Sequence, residues 1–409
     1  MPKQKQKQKK KPWIHRRHLI VRNIAFVIMY WIIRLKYGIR PRPFREEQKR
    51  NYLILYNHQT AFDQFFVGMS FKGHLYYMAS EDLFSKGFVS TLIRYLVAPI
   101  PIKKQSTDIS AIMNCLRVAK EGGSIAIAPE GNRTYSGATE YMSPSIAQLA
   151  KKLKLPILLY RIEGGYGVHP RWSDKTRRGK MEAYVSRVIE PEEYLAMSDD
   201  ELFAAIRDGL TMNEALPSGT FGGSRRAEYI ERAMYFCPTC GLSRFHSQRN
   251  TVKCLTCNTI ILYGEDKSLR AVNGAFPFTD MKSWYDAQAV YTNHLALDQM
   301  CERPLYEDKA NLYEVIVYKN KRSLRRGASV ALYGNRVVID ERGKEPLVLS
   351  FDELSGVSVL GKNKVNFYLH DKVYQIKGSK RMNALKYVHF YYRYRNILKG
   401  AEYESFLGI

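Results

Sequence analysis

The chain has 409 residues, 45% of them apolar, which is ordinary for a folded protein and leaves room for two or three domains. Its 64 Lys and Arg against 39 Asp and Glu give a net charge of +25, so its partners should be anionic, either nucleic acid or a membrane surface. Six cysteines, four of them in a metal-like pattern, fit a reducing cytoplasm and argue against a disulfide framework.

The charge is uneven. Residues 1–50 hold 16 basic and 2 acidic residues, a net +14. Residues 1–12, with Lys-Gln repeats from residue 3 to 11, read as a disordered basic tail. Residues 13–44 read as interfacial membrane helices. Leu19 to Ile33 is mostly apolar, and Ile24 to Ile33 is unbroken, but the run is shorter than the about 20 residues needed to span a bilayer as a helix. Arg16 and Arg17 precede it, Arg34 and Lys36 follow it, and no small-residue cleavage site of a signal peptide appears. Basic flanks on an apolar helix point to a surface of anionic lipid, where each cation contributes about 1 kcal/mol.

Residues 45–215 alternate apolar runs with amphipathic stretches, the signature of a mixed α/β domain. Tyr52 to Tyr56 is a buried strand that runs into Asn57-His58-Gln59-Thr60-Ala61-Phe62-Asp63, an H-x4-D spacing. About 70 residues on, a second strand, Ser124 to Ala128, ends in Pro129-Glu130-Gly131-Asn132-Arg133-Thr134. Two strands that each end in a chemically capable turn place a site at the carboxyl edge of a sheet. His58 fits a general base, because its unperturbed pKa lies near neutrality. Asp63 fits the carboxylate that orients it. The i, i+5 spacing puts His58 in the turn before a helix and Asp63 in that helix's first turns. Arg133 offers a planar fork for a phosphate, Glu130 a hydroxyl ligand or a brace for Arg133 and His58, and Gly131 a close backbone approach. Between the two turns, further strands are expected at Leu75 to Ala79 and Ala98 to Lys104, and helices at Phe84 to Val97 and Ser110 to Lys120. Beyond them come a strand at Leu155 to Tyr160, a loop at Gly164 to Gly167, a strand over 180–189 and a helix at Ser198 to Met212.

The pair NHQTAFD and PEGNRT resembles motifs I and III of the glycerolipid acyltransferases, and the resemblance covers roughly residues 13 to 212. It implies a peripheral enzyme of the cytoplasmic face of a bacterial membrane. Such an enzyme would move a fatty acyl group from acyl-CoA or acyl carrier protein to lysophosphatidic acid, giving phosphatidic acid. His58 and Asp63 would be catalytic. Lys103 and Lys104, after a strand that resembles motif II, would hold the acceptor's phosphate together with Arg133, and Glu130 and Gly131 would complete the substrate-binding set. No redox or nucleotide cofactor is implied, and nucleic acid is not expected as a partner. Other acceptors stay open (glycerol-3-phosphate, another lysophospholipid, an amino-lipid), as does a non-catalytic zinc-dependent scaffold for nucleic acid or membrane.

Residues 216–309 hold a Pro/Gly/Ser-rich linker and two C-x2-C knuckles, Cys237-Pro238-Thr239-Cys240 and Cys254-Leu255-Thr256-Cys257, with 13 residues between them. Four thiolates at this spacing suit a closed, structural zinc ribbon. Residues 310–409 show seven short β-rich runs, the first at Tyr313–Tyr318, and a final helix at Asn383 to Leu398. That arrangement is similar to a pleckstrin-homology or GRAM-like module. Its Lys362, Lys364, Lys377, Lys380 and Arg381 would offer a basic surface to acidic headgroups.

Overall fold

The computed structural model describes residues 11–46, 49–102, 108–316, 319–400 and 406–408, with only the backbone at 81 and 82. The first helix, α1 (Arg16–Tyr37), is longer than the apolar run suggested, because it continues through Arg34, Leu35 and Lys36 to a left-handed C-cap at Gly38. Its 22 residues and a mean hydropathy of 1.5 make it long and apolar enough to cross a membrane, by length and composition alone. Among the described residues of 13–44 it is a single helix, where more than one was expected.

The α/β part follows in order: β1 (Leu53–Tyr56), α2 (Asp63–Ser70), β2 (Leu75–Ser80), α3 (Phe88–Val97), β3 (Ile100–Ile102), α4 (Ile109–Lys120), β4 (Ser124–Ile127), α5 (Ser145–Leu153), β5 (Ile157–Glu163), α6 (Gly165–Val168), β6 (Glu182–Ile189), α7 (Pro191–Tyr194) and α8 (Asp199–Leu210). Where a loop was expected at Gly164 to Gly167, the chain makes a single helical turn, opened by Gly164 at φ 76°. A capping box of Ser198 and Glu201 starts α8. The six strands pair in the order β3-β2-β4-β1-β5-β6, all parallel except β6.

All four residues of β1 are buried, as in a strand covered on both faces. Leu53 and Leu55 point into one core with residues of α4, α5 and α8. Ile54 and Tyr56 point into another with Ile33 and Tyr37 of α1 and Phe66 and Val67 of α2. The register Leu53↔Ile125 sets β1 directly beside β4. The turns that leave these two strands are therefore neighbours, although 72 residues separate His58 from Glu130.

The remaining chain forms β7 (Phe236–Cys237), β8 (Gly241–Leu242), β9 (Phe245–Gln248), β10 (Thr251–Cys254), β11 (Ile260–Tyr263), β12 (Leu269–Asn273) and α9 (Met281–Asn293), a helix the sequence pattern did not announce. Then come β13 (Tyr306–Glu314), β14 (Arg322–Leu332), β15 (Arg336–Asp340), β16 (Leu347–Ser350), β17 (Leu354–Leu360), β18 (Lys364–Leu369), β19 (Lys372–Gly378) and α10 (Leu385–Leu398). The first strand of this series begins at Tyr306, upstream of the expected Tyr313, because Tyr306, Ala310 and Leu312 supply its inward face. β13 to β19 make one antiparallel seven-stranded sheet, β16-β15-β14-β13-β19-β18-β17. One hydrophobic core joins this sheet, α9, α10 and the cysteine region to Tyr135, Tyr166 and Trp172 of the α/β part.

Candidate active site

Asp63 opens α2, where a carboxylate is favoured by the helix dipole. It is fully buried and accepts from the backbone N–H of Gln59 (2.7 Å), the N–H (2.9 Å) and Oγ1 (2.6 Å) of Thr60, and Nδ1 of His58 (2.8 Å). That donor set fits an ionised carboxylate. The Nδ1 contact fixes the imidazole tautomer, with the proton on Nδ1 and the lone pair on Nε2. Burial pushes the His58 pKa below its usual value, and the hydrogen bond and charge of Asp63 only partly oppose that. The imidazole is thus neutral near pH 7, and its side chain keeps 23% exposure, enough to be reached.

The β4 turn braces this pair. Glu130 accepts the His58 backbone N–H with one oxygen (2.9 Å) and that of Glu140 with the other (2.9 Å). The Thr134 N–H donates to the His58 carbonyl (3.1 Å). Glu130 therefore braces the His58 backbone, and no ion pair joins it to Arg133 among the described residues. Burial pushes the Glu130 carboxyl up to about 8, against two N–H donors that favour the ionised form. Gly131 has φ 64°, a left-handed turn that favours glycine, and it faces open space. Burial, then the neighbouring Arg171, push the Arg133 guanidinium down to about 10. Lys103 and Lys104 lie outside the described residues.

His58, Glu130, Gly131, Asn132, Arg133 and Arg171 line one cavity of 1760 Å³. Its apolar wall runs from Phe26 and Met29 of α1 past Met78 and Ile93 to Met113 and Leu116 of α4. A cavity with an apolar arm and a few convergent polar groups at one end suits an amphiphile. The β17–β18 hairpin reaches it too, at Leu360 and Gly361, as do Phe406 and Gly408.

Arg171 escaped sequence reasoning. It is 2% exposed and donates through Nη1 to the Arg133 carbonyl at 2.7 Å. The only sign of it was the density of basic residues from Arg171 to Arg178, which matches no motif. Asn57 was also overlooked: its amide bonds both the N–H (2.8 Å) and the C=O (2.9 Å) of Ile162, tying the end of β1 to β5. Of the expected basic surface, two members are taken up by ion pairs. Lys362 binds Asp174 (2.7 Å) because the hairpin packs onto the α/β part, and Arg381, just after β19, pairs with Glu231 beside the cysteine region. Lys377 and Lys380 are exposed.

The sulfur atoms of Cys237, Cys240, Cys254 and Cys257 lie within 4.8 Å of one another. Each knuckle ends in a left-handed residue directly after its second cysteine, Gly241 (φ 72°) and Asn258 (φ 63°). Four converging thiols on two matched turns fit a metal ion held in a closed site. His246 is exposed on β9, apart from this cluster.

The acyltransferase family model matches residues 40–162, which hold both turns of the site. The chain is 22% identical over 137 residues to 1-acyl-sn-glycerol-3-phosphate acyltransferase of Bacillus subtilis, a match that spans 33% of this chain and 65% of that protein. The chain thus spans just under two thirds of that curated relative. A crystal structure of the 1-acyl-sn-glycerophosphate (LPA) acyltransferase PlsC from Thermotoga maritima is 21% identical, with a TM-score of 0.37, over 47% of this chain and 74% of that one. The part matched by the acyltransferase family model, residues 40–162, lies in a mixed α/β sheet that is followed by a cysteine cluster and a β-rich region with a terminal helix.

Proposed function

We propose that this chain is an O-acyltransferase that moves a fatty acyl group from acyl-CoA or acyl carrier protein to the free hydroxyl of lysophosphatidic acid, forming phosphatidic acid. The observation that carries this reading is the Asp63–His58 pair, whose imidazole lines a largely apolar cavity beside the Arg133 turn. Nε2 of His58 takes the hydroxyl proton as the oxygen attacks the thioester carbonyl. Asp63 stabilises the imidazolium that forms. The tetrahedral intermediate then expels the thiolate, which takes that proton from His58. Arg133 binds the acceptor's phosphate, and Glu130 keeps His58 in place.

The same reading sets the enzyme on the cytoplasmic face of the cell membrane. In α1, residues Ile20, Ile24, Val27, Ile28, Trp31 and Leu35 are exposed, while Tyr37 is anchored through its hydroxyl to His169 (3.0 Å). The adjacent α3 exposes Phe88, Val89, Leu92 and Tyr95. Apolar surface of this extent marks a contact with lipid or protein, and it borders the cavity that a lipid acceptor would enter. Zinc in the Cys237, Cys240, Cys254 and Cys257 site would be structural, since all four ligands are protein sulfur.

The test is a panel of acceptors offered to the purified protein with one labelled acyl-CoA and one acyl carrier protein thioester. Phosphatidic acid as the main product is expected. Acylation of glycerol-3-phosphate or an amino-lipid in its place would redirect the reading, and consumption of no thioester would end it.

A further inference from the structure

Arg171 and Arg133 form a cationic end to the cavity that no ion pair neutralises among the described residues. Arg133 Nη1 is buried and has no hydrogen-bond partner among the described residues. Neither guanidinium has a carboxylate within ion-pair distance among the described residues. The half-buried carboxyl that Arg171 influences, Glu140, accepts at Oε1 from Thr134 Oγ1 (3.0 Å), the Tyr135 N–H (3.2 Å) and Ser136 Oγ (3.3 Å) and makes no ion pair with either arginine among the described residues. A buried Arg171 beside a half-buried Arg133, neither paired with a carboxylate, is costly, and a bound anion removes that cost.

Arg171 is also held in place by the carboxyl-terminal half. Its guanidinium lies 4.1 Å from the centre of the Tyr135 ring, and Tyr135 belongs to the core shared with the seven-stranded sheet. Its Nε donates to the carbonyl of Gly361 at the tip of the β17–β18 hairpin (3.4 Å). The next residue, Lys362, clamps that tip by donating to the Ser173 carbonyl and to Asp174. Arg232 holds Asp174 and the Trp172 carbonyl (each 2.8 Å) from the other side.

We propose that Arg171 is a second phosphate-binding residue, which with Arg133 selects an acceptor bearing a phosphate monoester, and that the β17–β18 hairpin closes the head-group end of the cavity against larger phosphodiester head groups. The inference deepens the acyltransferase reading above and rests on it. A monoester carries about −1.5 to −2 charge at pH 7, which matches two guanidinium groups. A diester carries one negative charge and a substituent that would have to pass Leu360 and Gly361.

The full-length protein is assayed with one acyl-CoA and two acceptors, lysophosphatidic acid and the matching lysophosphatidylcholine. Wild type should favour the monoester. Arg171→Gln should raise KM for lysophosphatidic acid by about 10- to 100-fold, the loss expected for a charged hydrogen bond. KM for the diester should move much less, so the preference narrows. A melting curve checks that the variant folds. If it does not, Arg171→Lys answers the same question, since it keeps the charge but loses the fork, and a smaller rise in the same KM is expected. An unchanged KM for lysophosphatidic acid in the folded variant overturns the inference alone. A wild type that acylates neither acceptor overturns the acyltransferase reading and the inference with it.

Discussion

The two halves of the molecule contribute to one cavity by different means. In the α/β half, the candidate reactive groups His58, Asp63 and Arg133 sit on or just after turns that leave adjacent parallel strands, so β1 and β4 set their geometry directly. In the carboxyl-terminal half, no residue that reaches the cavity belongs to a recognisable motif, and the hairpin tip arrives there through packing of a shared core. On the proposed reading, chemistry is local to two short stretches, whereas the Arg133–Arg171 end of the cavity is assembled across some 230 residues, from Arg133 to Lys362. A β-rich appendage can thus be part of a site without carrying any reactive group.

That contrast is sharpest at Asp63. The Asp63→Asn variant keeps the shape of the side chain, but its amide can no longer stabilise an imidazolium or enforce the Nδ1-protonated tautomer. Acyl transfer should fall about 10²–10⁴-fold, while the melting temperature moves far less than activity does. A rate near wild type would mean that the α/β half does not act through this pair.

The next largest effect probes the other half. Cys254→Ser, or removal of metal by a strong chelator, should lower the unfolding temperature by roughly 10 °C, as expected for loss of part of a structural metal's binding energy. Because Tyr135 and Trp172 share the core of that region, activity should fall along with stability. Metal analysis of the purified protein should find one zinc per chain. Unchanged activity in the metal-free protein would show that the two halves act separately.

The smallest effect is in the pH profile. The His58 pKa is depressed, so the neutral base persists as pH falls through 6.5. The acid limb of kcat/KM should therefore have its midpoint below 6.5, with no loss of rate between pH 8 and 7 from this group. A midpoint above 7 would contradict a desolvated imidazole.

The sequence reveals the site unevenly, for physical reasons. His58, Asp63, Glu130 and Arg133 stand in short stretches whose spacing reflects a strand followed by a turn, so periodicity and residue chemistry suffice to bring them together. Arg171 has neighbours of the same charge and no spacing rule, and its place depends on Tyr135, Gly361 and the fold between them. Lys362 and Arg381 looked like a solvent-facing basic strip, because a sequence does not show that Asp174 and Glu231 will meet them. The helix α9 was missed because its apolar residues are spread around a partly aromatic sequence, and the early start of β13 because Tyr306 to Glu314 is rich in charge.

The most direct measurement of the central claim sets wild type beside His58→Ala, with a thioester donor, lysophosphatidic acid and mass-spectrometric detection of the product. The expected result is phosphatidic acid from wild type and about 10²–10⁴-fold less from a folded His58→Ala protein, as removal of a general base predicts. Equal product from both proteins would contradict it.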